Sequence, residues 1–234
     1  MQYIHLLGSY FICTKIWINN LNNKFLIAFD YDGVIVDSLD QNLLVVRQAC
    51  QHLGLKSFPT LNDIEQLENM SFEDIGRQIK VPENRLKDFT SFVFLRLAHN
   101  SNTLFIFEGI SDLLFQLGKQ HTLVVVTTNT QKVVERFLNK HGLEKCFVRI
   151  MGDEWQGSKH EKIIRVAQQF NFEKHLVYLV GDTISDIRES RLAGINSIAV
   201  TWGYQSRNKL LEKSPNYIAE TPQDILDILE AISS

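Results

Sequence analysis

Two carboxylates two positions apart, Asp30 and Asp32, follow the apolar run Phe25-Leu26-Ile27-Ala28-Phe29 and precede Gly33. In an extended strand alternate side chains share a face, so both can address one small volume. Anions crowded in this way are costly unless a cation, a shared proton or a catalytic task accounts for them. Gly33 permits a sharp turn or a close ligand approach, which suggests a loop at the mouth of a sheet. Read alone, the same residues are equally a strand ending in a solvated acidic turn. Other polar groups stand just past other apolar runs: Thr127-Thr128-Asn129 after Leu123-Val124-Val125-Val126, and Gly181-Asp182 with Asp186 after Leu176-Val177-Tyr178-Leu179-Val180. Lys159 opens a further helical pattern. Singly, each has an ordinary reading: a strand-end threonine, a solvated lysine, an aspartate helix cap, a first-turn carboxylate answering the helix dipole.

The elements around these residues give them a common place. Lys24 to Phe29 reads as a short buried strand, and Leu123–Val126, Cys146–Met151, Leu176–Val180 and Ser197–Val200 repeat the pattern of strands buried on both faces. Helical stretches alternate with them: Ile110 to Gly118, Gln131 to His141, Lys159 to Phe170, and one ending at Ala193-Gly194. Such alternation calls for an α/β fold, a Rossmann-like parallel sheet with helices on both faces. Between the first strand and the rest, Asn42–Leu53, Leu61–Asn69, Phe72–Ile79 and Glu83–Asn100 are all helical in pattern. The expected organisation is therefore an α/β core of residues 24–38 and 103–234, with an all-helical cap, 39–102, inserted after the first strand. Ligands of open parallel sheets bind beyond the carboxyl ends of the strands, where the polar groups above collect.

Composition narrows the partners. The 234 residues are 44% hydrophobic and 22% charged with a formal net charge of −3, so no general attraction to nucleic acid or anionic lipid is expected. Three distant cysteines, Cys13, Cys50 and Cys146, argue against a disulfide framework and suit a reducing cytoplasm. The seven histidines are scattered without metal-ligand spacing. Residues 1–23 carry an apolar patch too short to span a bilayer and without the basic leader of a secretory signal; an extra packed element or an extension upstream of the fold is expected there.

The four groups together resemble the haloacid dehalogenase superfamily of phosphohydrolases with an α-helical cap. They match D-x-D-G as Asp30-Tyr31-Asp32-Gly33, a strand ending in Thr as Val124-Val125-Val126-Thr127, a lone Lys as Lys159, and G-D-x-x-x-D as Gly181-Asp182 through Asp186. Lys162 competes for the lysine role, but Lys159 stands nearer the helix start; the proline that often follows this lysine is replaced by His160. The segments Ala199–Tyr204 and Asn216–Pro222 are similar to phosphoglycolate phosphatases and their close relatives, although Glu108 departs from the proline usual in that subgroup.

This resemblance implies that Asp30 attacks phosphorus to give an aspartyl-phosphate and that Asp32 protonates the leaving alcohol, then deprotonates water. It implies Mg²⁺ between Asp30 and Asp182, supported by the Asp32 backbone carbonyl and by Asp186. Thr127 and Lys159, with Thr128 and Asn129 beside the threonine, are the expected phosphate-binding groups. The substrate implied is a small phosphate ester, phosphoglycolate first, with no nucleic-acid or membrane partner. Val34, in place of the commoner Thr, leaves hydrolase and phosphosugar mutase both open. A phospho-accepting receiver shares the carboxylates, Thr and Lys but needs neither the long insertion nor Asp32; a catalytically idle binding protein would not need the full charged set. Substrate choice is expected in the cap, with Arg77, Lys80, Arg85 and Arg96 as cationic candidates, although each reads more simply as part of a solvated face.

Overall fold

A computed structural model of the chain describes residues 24–100 and 104–233, apart from the side chains of 98–100. The expectations placed on residues 1–23 and on the end of the insertion at 101–103 lie outside the described residues. In chain order the elements are β1 (Leu26–Phe29), β2 (Val36–Asp37), α1 (Leu39–His52), α2 (Leu61–Glu65), α3 (Phe72–Gln78), α4 (Leu86–Asn100), β3 (Phe105–Ile106), α5 (Ile110–Leu117), β4 (Thr122–Val126) and α6 (Gln131–Lys140). They continue with β5 (Arg149–Met151), α7 (Lys159–Gln169), β6 (Val177–Gly181), α8 (Ile184–Ala193), β7 (Asn196–Val200), α9 (Arg207–Leu211), β8 (Tyr217–Ala219) and α10 (Pro222–Ser233).

Six strands form one parallel sheet in the order β5-β4-β1-β6-β7-β8. Every residue of β1, β4 and β6 is buried, because helices cover both faces. On one face Ile27, Phe29, Leu123, Val125 and Val180 join the apolar sides of α5, α6 and α10; on the other, Leu26, Ala28, Val124, Val126 and Leu179 pack with α7. The strands therefore read as continuous apolar runs rather than alternating ones.

The helical segment between β2 and β3 has a hydrophobic core of its own, in which Val45, Val46, Ala49, Cys50, Phe89 and Val93 have no exposed surface. It is joined to the sheet through the antiparallel pair β2–β3, Val36 opposite Ile106 and Asp37 opposite Phe105. Several boundaries differ from the sequence expectation for local reasons. The stretch expected to be helical from Leu61 to Asn69 stops as a helix at Glu65, where the Glu65 and Leu67 carbonyls accept hydrogen bonds from Gln205 Nε2 across the cleft. The strand expected from Cys146 begins at Arg149, since Glu144–Cys146 closes a 3₁₀ turn. β8, α9 and α10, none of them expected, complete the sheet and its cover.

Candidate active site

Register brings the candidate residues level. Phe29 of β1 pairs with Val125 of β4 and Val180 of β6, so the residues after these strands emerge on one rim. The Asp30 amide still bonds the Val180 carbonyl at 2.9 Å, and the Thr127 amide the Met151 carbonyl at 3.0 Å. Gly33 then turns with φ +76°, and any side chain there would collide with the Asp182 carboxylate and Tyr204. The glycine of the D-x-D-G pattern is thus required twice, by its left-handed backbone and by close approach.

Two helix starts fix the remaining groups. Ser158 caps α7 in a capping box with Glu161, which sets Lys159 at the first helical position. Thr183 caps α8 in a capping box with Asp186: the Asp186 Oδ2 atom accepts from the Thr183 hydroxyl at 2.6 Å and amide at 3.2 Å. Its other oxygen, Oδ1, receives Lys159 Nζ at 2.6 Å. The helix-cap and site readings of Asp186 are therefore both met, by different oxygens of one carboxylate.

Lys159 Nζ also donates to Asp30 Oδ2 at 2.5 Å, and the bridge is largely shielded from water. Burial opposes the lysine's charge, but Asp186 and Asp30 more than offset it and its pKa is raised. Burial likewise raises Asp30, to about 7, against the pull of Lys159. Asp182 is raised well above the usual carboxylate range, by burial and then by Asp186 and Asp30. Single oxygens of Asp30, Asp182 and Asp186 lie within 4.8 Å of one another. With all three ionised, the carboxylates facing one ammonium would leave two negative charges in excess, which is why burial without a cation pushes Asp30 and Asp182 towards protonation, and Asp182 Oδ1 is buried without a hydrogen-bond partner among the described residues. A divalent, oxygen-seeking cation meets both conditions, so these residues fit Mg²⁺.

Asp32 is held apart from that cluster. Its Oδ1 accepts from Ser38 Oγ at 2.7 Å and its Oδ2 from Asn129 Nδ2 at 3.2 Å. Burial raises its pKa, while those two hydrogen bonds and Lys159 pull it back. Thr127 is buried, and its hydroxyl accepts from the Asn129 amide at 3.0 Å. Asn129 thus links Asp32 to the Thr127 loop and lines the adjoining cavity, and Thr128 is exposed on the cavity wall. Lys162, the competing lysine, is buried elsewhere against the Gly152 carbonyl at 2.6 Å.

Sequence reasoning missed two members. Tyr204 donates its amide to Asp182 Oδ2 at 2.7 Å, and its hydroxyl meets Ser38 Oγ at 2.8 Å and Asn42 Nδ2 at 2.6 Å. The Thr201–Tyr204 segment carried a signal, but nothing local shows that residue 204 folds back over the first loop. Ser38, six residues beyond Asp32, carried none.

A cavity of about 290 Å³ opens over this rim, bounded by Asp30, Asp32, Lys159 and Asp182 below and by Leu43, Phe72 and their neighbours on the helical insertion above. A second, of about 360 Å³, adjoins it beside Phe94 and Val133. Of the insertion's cationic candidates, Arg77, Lys80, Arg85 and Arg96, none lines either cavity, in keeping with the solvated-face reading. Arg77 pairs with Glu73, Asp74 and Glu83 on the outer surface, and Arg96 lies over the Phe92 ring.

The chain belongs to the haloacid dehalogenase-like hydrolases, whose family model matches residues 27–200. Among curated proteins it is similar to the phosphoglycolate phosphatase of Synechococcus elongatus, 28% identical over 201 residues, covering 86% of this chain and 94% of that relative. The phosphoglycolate phosphatase of Vibrio parahaemolyticus is 26% identical over 222 residues, covering 87% and 95%. A haloacid dehalogenase-like family hydrolase from Streptococcus pneumoniae shares the fold with a TM-score of 0.78 at 23% identity, covering 88% of this chain and 98% of its own. No described helix is long and apolar enough to cross a membrane.

Proposed function

We propose that this protein is a Mg²⁺-dependent phosphatase that hydrolyses a small phosphorylated metabolite through an aspartyl-phosphate on Asp30, with 2-phosphoglycolate the first substrate to test. The observation that carries the reading is the convergence of Asp30, Asp182 and Asp186 on one buried site bridged by Lys159, with Asp32 held separately beside it. The names of the similar curated proteins support the substrate class.

A phosphate monoester repels nucleophiles through its own anionic oxygens, so positioning and positive charge do most of the catalytic work. Mg²⁺, held by the Asp30 and Asp182 carboxylates with Asp186 and the Asp32 carbonyl in support, would supply the charge that offsets both the crowded carboxylates and the phosphoryl oxygens. Lys159 would bind a non-bridging oxygen and keep Asp30 ionised and aimed; Thr127, with Thr128 beside it, borders the same space. Asp30 forms the new O–P bond while the ester P–O bond breaks, and Asp32 gives its proton to the departing alkoxide. Asp32 then takes a proton from water, which attacks phosphorus, releases inorganic phosphate and restores the Asp30 carboxylate.

The two aspartates suit these tasks differently. Asp30 has an ammonium at 2.5 Å, which favours the charged nucleophile. Burial raises the pKa of both carboxyls, so the partners make the difference: Asp32 has two neutral hydrogen-bond donors and no ammonium in contact among the described residues, which suits a group that must gain and lose a proton. Phosphate release from 2-phosphoglycolate and from 4-nitrophenyl phosphate tests the reading. Both rates should vanish with EDTA, and Asp30→Asn should lower them by about five to six orders of magnitude. A Mg²⁺-independent rate, or isomerised sugar phosphate formed without free phosphate, would overturn it.

A further inference from the structure

We propose that Arg188, on the sheet-side helix α8, is the residue that selects a substrate carrying a carboxylate on its leaving group. The proposal rests on the phosphatase reading and assigns the specificity that the insertion's own cations do not supply. Two cationic side chains line the catalytic cavity among the described residues, Lys159 and Arg188. Lys159 is already shared between Asp30 and Asp186. Arg188 forms no ion pair among the described residues; its Nη2 donates to Asn69 Oδ1 on the insertion and, at 3.2 Å, to Ser185 Oγ. The neighbouring acid, Glu189, lines the same cavity but is held by His160, whose amide donates to its Oε2 at 2.9 Å and whose Nδ1 lies 2.9 Å from the same oxygen.

The guanidinium is therefore held by neutral partners, with its charge unspent, on the same cavity wall as the nucleophile. The insertion's wall of the cavity is mainly apolar and uncharged, with Leu43, Val46, Phe72 and Ile75 beside Asn42 and Ser71. An ionised group entering there meets no other free cation among the described lining residues, and low polarity around it strengthens the pairing. A guanidinium matches a carboxylate in plane and spacing, which gives selection as well as attraction. Asn69, on the loop after α2, makes this contact a junction between insertion and core, so an anion bound at Arg188 is held where the two close on each other.

The test compares the kcat/KM ratio for 2-phosphoglycolate over neutral-tailed 4-nitrophenyl phosphate in the wild type, Arg188→Gln and Asn69→Asp, with Mg²⁺ present. The wild type should prefer the carboxylated ester, and Arg188→Gln should reduce that preference about 10- to 100-fold, chiefly through KM. Asn69→Asp, at an exposed loop position, supplies an internal carboxylate to Arg188 and should reduce the preference in the same direction without removing the arginine. A ratio unchanged in both variants, or a parallel fall for both esters, would overturn the proposal while leaving the phosphatase reading in place. Absence of Asp30-dependent phosphate release from either ester in the wild type would overturn both.

Discussion

The rim of the sheet and the helical insertion face each other across one cavity and treat charge in opposite ways. On the rim Asp30, Asp32, Lys159, Asp182 and Asp186 are drawn out of water and held by short hydrogen bonds from backbone, caps and one another. On the insertion the wall of the cavity is mainly apolar, and the charged residues stand outside, as Arg77 does among Glu73, Asp74 and Glu83. Burying several charges is costly, and it persists where a rigid scaffold and a ligand account for it. A parallel sheet supplies that scaffold, since its strands are locked in register on both sides. A small bundle of helices does not, and its natural contribution is an apolar surface that excludes water from the rim.

That contrast can be broken most directly at Asp32. Asp32→Asn keeps the shape and one of the two accepted hydrogen bonds, from Ser38 or Asn129, but removes the exchangeable proton, so phosphate release should fall by about 10²- to 10⁴-fold, with substrate KM little changed. Steady-state kinetics would show it, and the loss should be smaller for an aryl phosphate, whose leaving group needs less protonation. An unchanged rate would remove the division of labour between the two aspartates.

The opposite end of the sheet sharpens the comparison, because a titratable group is buried there with no anionic partner among the described residues. His121 stacks on Phe25 with ring centroids 5.2 Å apart, and its Nδ1 is buried without a hydrogen-bond partner among the described residues. Burial, aided by Lys24, lowers its pKa from 6.5 to about 4. Between those values the unfolded chain binds a proton that the folded chain refuses. Stability from this residue is therefore full above about pH 6.5 and is lost as the pH falls towards 4, by at most about 3 kcal/mol. Urea denaturation across that range should show a slope that His121→Phe flattens.

The smallest effect is expected on the outer face of the insertion. Arg77→Ala removes three exposed ion pairs that salt and solvent already screen, so kinetics with either ester should match the wild type. A marked rise in KM would return substrate selection to the insertion's surface cations and weaken the case for Arg188.

Much of the fold was legible in the chain itself. Leu123–Val126 and Val177–Val180 are apolar without alternation because both faces of the sheet are covered, and such runs separated by helical patterns define a parallel α/β arrangement. Chain order then put Asp30, Thr127 and Asp182 at strand ends, since side chains just past a strand are positioned by the backbone alone. Lys159 and Asp186 came from the helical pattern and from the resemblance to the family's motifs; the structure adds that Ser158 and Thr183 cap the helices that carry them. These are local rules, and local rules survive without knowledge of the rest of the molecule.

Long-range placement is what tertiary structure decided. Tyr204 reaches Ser38 and Asn42 over a separation of more than 160 residues, and no periodicity encodes that approach. Asn129 meets Asp32, and Lys162 meets the Gly152 carbonyl, across separations of 97 and 10 residues that no local pattern encodes. Which arginine faces the cavity was likewise outside the reach of sequence: Arg77 and Arg188 both lie on helices, and only packing turns one to solvent and the other inward. The sequence by itself determined the family, the sheet and the place of Asp30 on it; the folded chain decided how each charge is partnered, because partners are chosen by distance in space and not by distance along the chain.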